Sequence, residues 1–250
     1  ILTINGTMDG KSVTVSYIIE VVNAGANVIA YGTPVLDGIL DDLYLGSKRL
    51  NLGEVFHPSA DATSDTEGYC YLAWDDNYLY VFAYVSDSLV MSPGMSYINS
   101  TNHPWATDGV ETYVMTTLDN PSGSMSKFAC DAFGTGVYGH ASSAESQIIQ
   151  DRRAFTGFTY NGVLIDGYQI LNPEENAVAG TNEYSVNGYV IEMTIPIYLA
   201  QGINDGAPKA GDQITFQIQI NDYDGGTPGQ ANDVTARKNA IEQYYLLPAD

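Results

Sequence analysis

The chain has 250 residues, 44% of them hydrophobic, enough to build a full core in one large all-β domain or two small ones. Thirty acidic residues stand against nine basic ones, a net charge of −21, which excludes the clustered Lys/Arg footprint of a nucleic-acid binder and argues against an anionic membrane surface. No apolar run is long enough to span a bilayer, and an acidic chain with Asn, Asp and Gly loops suits calcium ligation or a neutral polar ligand such as a sugar.

In chain order, "ILTINGTMDG" opens with no initiating Met and no signal-peptide pattern, so the sequence reads as an excised piece of a longer protein. Residues 1–26 read as a hairpin and connector, the tail of a preceding module, and residues 27–250 as one β-sandwich. The segment 37–46, "DGILDDLYLG", is short and amphipathic, and predicts a helix capped by Asp37. Beyond it, period-two alternation dominates. Strands are predicted over 13–22, 67–74, 78–85, 109–117, 126–132, 157–165, 184–195, 214–221 and 242–247. Asp75–Asn77 supplies a hairpin turn between two of them. In 78–85, Leu79, Val81, Ala83 and Val85 share one face and Tyr78, Tyr80, Phe82 and Tyr84 the other. We read the aromatic face as core, because central strands of stacked sheets are covered on both sides. Pro196–Ala200 predicts one more helical turn. The pattern as a whole predicts an all-β fold, a two-sheet antiparallel β-sandwich of jelly-roll type. Cys70 and Cys130 each sit in a strand-like run, either bridged or as two small buried hydrophobes.

Long segments without a clear period separate the strands, at 86–108, 133–156, 166–183 and 222–240. Such segments in a compact domain are usually functional or metal-stabilised. Acids gather at their ends: Asp37, Asp41 and Asp42; Asp87 and Asp108; Asp222 and Asp224. Calcium takes hard oxygen ligands from separated places, so a structural Ca2+ is expected, with Asp87 and Asp108 pinning both ends of the 86–108 segment. The alternative is a set of solvated acids at turns. His57, His103 and His140 show no metal-ligand spacing, and no nucleophile-elbow pattern occurs.

Within 86–108, "NHPWATDGVETYV" places Trp105 among polar residues shortly before Asp108 and Glu111. Either the indole folds over the base of its own loop or it is left open for a ligand. A pyranose ring carries C–H faces that an indole covers, while a neighbouring carboxylate accepts hydroxyl hydrogens. Alternation in "GVETYV" puts Val110 and Val114 toward the core and Glu111 toward the opposite face.

Five segments in order, "YGTPVLDGILDDLY", "LAWDDNYLYVFAYVSD", "NHPWATDGVETYV", "GYVIEMTIPI" and "ITFQIQIND", give residues 28–222 a resemblance to the family 9 carbohydrate-binding modules. The resemblance implies a calcium-containing β-sandwich that holds a glycan end between two tryptophans. It implies that Trp105 is the first clamp tryptophan and Glu111 a sugar-bonding acid, while Trp74 is structural. The family's arginine and asparagine fall on Ala129 and Asp131, and Asn232 matches a second asparagine. The second clamp tryptophan has no counterpart, and Tyr223, Tyr138 or Tyr97 would have to take its place. The implied function is a non-catalytic module that carries an extracellular enzyme or surface protein, covalently linked to it, to xylan or cellulose chain ends of plant walls. Two alternatives stand beside it: a structural or interaction sandwich that has lost sugar binding, and a glycoside hydrolase using Asp108 and Glu111.

Overall fold

The computed structural model describes residues 2–8, 11–17, 27–58, 66–91, 108–115, 126–132, 137–141, 145–148, 154–160, 163–166, 183–197, 208–223 and 236–249. Among these, the strands are β1 (Leu2–Met8), β2 (Lys11–Tyr17), β3 (Val28–Tyr31), β4 (Leu50–Leu52), β5 (Glu54–Pro58), β6 (Glu67–Trp74), β7 (Tyr78–Ser86), β8 (Leu89–Met91) and β9 (Gly109–Met115). They continue with β10 (Ser126–Asp131), β11 (Val137–Ala141), β12 (Glu145–Ile148), β13 (Ala154–Tyr160), β14 (Val163–Asp166), β15 (Glu183–Ser185), β16 (Gly188–Pro196), β17 (Gln213–Asp222) and β18 (Ala236–Leu246). No helix among the described residues is long and apolar enough to cross a membrane.

The strands form two layers. One, called here the amide sheet, runs β12-β11-β10-β9-β17-β18 with β5 along β18. The other, the tyrosine sheet, runs β6-β7-β16-β13-β14 with β4 beside β6. The short β3 joins them by pairing parallel to both, at Val28 and Ile29 with β18 and at Ala30 and Tyr31 with β6. Their inner faces make one core. Leu72, Leu79, Val81, Ala83, Val85, Ile191, Met193 and Ile195 meet Val110, Val114, Phe128, Cys130, Ile214, Phe216, Ile218 and Ile220. Alternation is the cause: every second residue of β7, β16 and β17 is apolar and points inward, as Val110 and Val114 of β9 do. The chain is therefore an all-β, two-sheet sandwich. Cys70 and Cys130 are buried, free thiols within that core. Trp74 is structural: its ring is buried and its Nε1–H donates to the Leu247 carbonyl at 3.0 Å.

The outer face of the tyrosine sheet carries a second, smaller core. Tyr80, Phe82, Ala73 and Val190 pack beneath Tyr44 and the leucines of the 36–43 segment. Asp75 builds the β6–β7 turn, its Oδ1 accepting from the Asn77 and Tyr78 amides, while its Oδ2 accepts from Tyr80 and from Thr33. Glu192 holds the covering segment down. Its Oε2 accepts from the Asp37 and Gly38 amides at 3.0 Å each, and its Oε1 accepts from the Tyr44 hydroxyl at 2.9 Å. Burial raises the Glu192 carboxyl to about 7, against the lowering effect of those donors.

The expected helix over 37–46 is corrected by this arrangement. Only Asp42–Gly46 is helical, a 3-10 turn, and Asp37 is no cap: its Oδ1 accepts from the Ile39 amide in a local turn. Gly38 stands at φ +76°, outside any right-handed helix, because its amide is turned toward Glu192. Two long predicted strands also divide. Residues 157–165 become the hairpin β13–β14, and 184–195 breaks at Val186–Asn187 into β15 and β16. The segments 86–108 and 133–156 contain β8, β11 and β12. Near the start of the chain, β1 pairs antiparallel with β2. Tyr198–Ala200 lie outside the described residues.

Candidate functional site

Two neighbouring groups carry the chemistry. The first is a carboxylate triad at one end of the sandwich. Asp87 follows β7, Asp108 precedes β9, and Asp222 ends β17, so three strands from both layers converge there. The three side chains are 2%, 0% and 1% exposed, and a carboxylate oxygen from each lies within 4.8 Å of the others. Backbone donors fix their orientation: the Tyr223 amide donates to Asp108 Oδ1 at 2.8 Å, and the Leu89 amide to Asp87 Oδ1 at 3.0 Å. Burial, then the charges of Asp108, Asp87 and Asp222, push the nearby Tyr189 hydroxyl well above its usual range, so it stays a neutral phenol. Three buried carboxylates this close repel one another and lose hydration, costs that a hard divalent cation offsets. Their all-oxygen donor set fits calcium or magnesium rather than a thiolate- or imidazole-seeking metal.

The second group lies next to the triad on the outer face of the amide sheet. β9, β10 and β17 are laid side by side, with Glu111 opposite Gln219 on one flank and Ala129 on the other. Close approach of β9 to β10 requires Gly109, because a Cβ there would press into the Cys130 carbonyl. Glu111 is 3% exposed and is the hub of a network. Its Oε1 accepts from the Asn221 amide at 3.0 Å, and its Oε2 from the Tyr113 hydroxyl at 2.5 Å. Lys127 Nζ stands 2.6 Å from the same Oε2 and 5.5 Å from the Tyr113 ring centre. Gln219 extends the chain by donating to Asn221 Oδ1 at 2.8 Å. A buried carboxylate here serves to hold an amide, a phenol and an ammonium group in fixed positions, with Tyr113 and Lys127 half-buried at its upper edge.

Val110 and Val114 face the core and Glu111 the opposite side. Asp87 and Asp108 come together, joined by Asp222, which sequence reading had placed only in a general acid cluster. Asp131 is buried on the same outer face as Glu111, across from Gly109. Tyr223 is buried just past the end of β17, where its backbone amide donates to Asp108 Oδ1. Trp105 and Asn232 lie outside the described residues, as does Tyr97. Sequence reading missed Lys127, Tyr113, Gln219 and Asn221. The signal was present in "ITFQIQIND", whose apolar positions alternate with Gln217, Gln219 and Asn221. A cation does face Glu111, but it comes from Lys127, one residue before Phe128, and not from the positions after it.

Comparison with known proteins gives concordant results. A family model described as "Carbohydrate family 9 binding domain-like" matches residues 36–243. Endo-1,4-beta-xylanase A of Thermoanaerobacterium saccharolyticum is 24% identical over 223 residues, covering 88% of this chain and 15% of that protein. Exoglucanase XynX of Acetivibrio thermocellus is 25% identical over 194 residues, covering 78% of this chain and 14% of that protein. The chain thus spans only a small fraction of either relative. In structure it is similar to a family 9 module from Caldicellulosiruptor kristjanssonii, solved with cellotriose, at 19% identity and a TM-score of 0.54, covering 90% of this chain and 95% of that one. A family 9 module from the same organism, solved with glucose, gives 20% identity and a TM-score of 0.54, covering 89% of this chain and 96% of that one. These structural likenesses show the fold.

Proposed function

The chain belongs to the carbohydrate family 9 binding domain-like family, and from that premise we propose that it is a non-catalytic module that seats the end of a glycan chain on the outer face of the amide sheet. The observation that carries this reading is the network around Glu111, where a carboxylate, an ammonium, a phenol and two amides converge on one patch of a mid-sheet face. Sugars are recognised by such sets, because each hydroxyl both donates and accepts. Glu111 acts from beneath, holding Lys127 and Tyr113 where a hydroxyl meets them first. Trp105, three residues before Asp108, would cover the ring face as the sequence expects.

The reading extends to the triad and to the parent protein. Asp87, Asp108 and Asp222 would hold a calcium ion. When bound, it would offset two of the three negative charges and tie the chain that enters β9 to the end of β17, which carries Asn221. By likeness to the xylanase and exoglucanase relatives, the ligand is a xylan or cellulose chain end of the plant wall. The module would then be covalently linked to a secreted enzyme or surface protein. A second reading, a structural module without sugar binding, has one observation in its favour: both Glu111 oxygens are already engaged within the protein.

Calorimetric titration with cellobiose, xylobiose and their alditols separates the two. Binding in the micromolar to millimolar range, weakened at least tenfold by Lys127→Met, supports the glycan site; absence of heat with every sugar at millimolar concentration leaves the structural reading.

A further inference from the structure

The outer face of the amide sheet does not end at the Glu111 network. Along β17 it carries, in order, Asn221, Gln219, Gln217, Thr215 and Gln213. Asn221 and Gln219 are buried, whereas Gln217 and Gln213 are half-buried. On the neighbouring β18, Gln243 is half-buried opposite Thr215, and Tyr245 is 48% exposed opposite Gln213. The amides form a ladder: Gln213 Nε2 donates to Gln243 Oε1 and Gln243 Nε2 to Thr215 Oγ1, each at 3.4 Å. On the β9 side, Tyr113 lies opposite Gln217 and joins this row to the Glu111 network. One face thus runs from a covered polar floor to an open aromatic ring.

We propose that this face is a groove for an extended neutral glycan, with the terminal unit on the Glu111–Asn221 floor and later units running along β17 over Gln217 and Gln243 to stack on Tyr245. The proposal rests on the glycan reading above and gives it a length. From Asn221 to Gln213 the strand covers about 27 Å, room for an oligosaccharide of several units. The chemistry of the face selects the occupant. Gln217, Gln243 and Gln213 offer neutral donors and acceptors in a row, suited to hydroxyls, and Tyr245 offers a ring face suited to sugar C–H groups. A peptide strand is disfavoured because β17 is already paired on both sides, by β9 and β18, and leaves no open backbone ladder. An amphipathic helix would find amides where it needs apolar pockets.

The test compares two chain lengths by calorimetry, cellobiose with cellohexaose and xylobiose with xylohexaose. The proteins are the unaltered chain, Tyr245→Ala and the double variant Gln217→Ala/Gln243→Ala. In the unaltered chain the hexasaccharide of the preferred series binds about tenfold tighter than its disaccharide, as expected for one stacking contact and one or two added hydrogen bonds. Tyr245→Ala brings the hexasaccharide down to the disaccharide level and leaves disaccharide binding unchanged, which also reports that it folds; Gln217→Ala/Gln243→Ala weakens the hexasaccharide more than the disaccharide and keeps the circular dichroism of the unaltered chain. Equal affinity for both lengths in the unaltered chain, or a length gain that survives both variants, overturns the groove while leaving the terminal site intact. No binding of any sugar overturns both.

Discussion

Removing the proton-holding capacity of Glu192 changes how stability depends on pH, and the size of the change follows from its surroundings. The side chain is fully buried beneath the 36–44 segment, and its carboxyl is raised from 4.5 to about 7. A folded value above the unfolded one means the folded state holds the proton more tightly. The associated stability is therefore fully present below about pH 4.5 and is lost as pH rises toward 7. At about 1.36 kcal/mol for each pH unit, the loss comes to roughly 3 kcal/mol. For a chain of this length that corresponds to a fall in Tm on the order of 6–12 °C. Glu192→Gln keeps the shape and an acceptor for the Gly38 and Asp37 amides but cannot ionise. Thermal unfolding of both proteins at pH 5, 6, 7 and 8, at constant salt, is the assay. The variant should be no more stable than the unaltered chain at pH 5, more stable at pH 8, and flatter between. Parallel pH profiles for the two proteins would refute the argument, since the remaining acids of a −21 chain are common to both.

Two further outcomes follow from the acid triad and from the close approach of β9 to β10. Calcium should raise the Tm and EDTA lower it, with about 3–4 kcal/mol of stabilisation when the ion is at 100 to 1,000 times its Kd; Asp222→Asn should abolish the shift, and a Tm indifferent to calcium would remove the ion from the account. Gly109→Ala should cost about 1–3 kcal/mol in urea unfolding, because its Cβ meets the Cys130 carbonyl and the Asp131 backbone; a midpoint equal to that of the unaltered chain would contradict that packing.

Much of the sandwich was legible because alternation is a local signal. β6, β7, β9, β10 and β17 fall close to their expected bounds, and their apolar positions form the core. The helix over 37–46 failed for a reason no window could show: Glu192, about 155 residues away, accepts from the Asp37 and Gly38 amides, and Gly38 is held at φ +76°, outside the right-handed helical region. Short β3 escaped notice because four residues carry no period, although it joins the two layers. The site divides in the same way. Glu111 was visible through alternation and family resemblance, and Asp87 and Asp108 through their places at the ends of a long segment. Asn221 and Gln219 look like ordinary outward amides until the β9–β17 register sets them beside Glu111. Asp222 joins the triad only when strands of both layers meet at one end of the sandwich.

Glycan binding requires one outer face to meet the sugar, and the two faces differ sharply. The tyrosine sheet offers Tyr69, Tyr71 and Tyr84, with Arg49 lying 4.1 Å over the Tyr69 ring; the amide sheet offers Lys127, Tyr113 and Gln217 above Glu111. Backbone amide chemical shifts, followed by NMR during titration with the sugar that calorimetry selects, read both at once. The expected result is a contiguous set of shifted amides at 111–113, 127, 217–221 and 243–245, with 69–71 and 84 unmoved. Shifts centred on Tyr69 and Tyr84, with the Glu111 network unmoved at saturation, would contradict it.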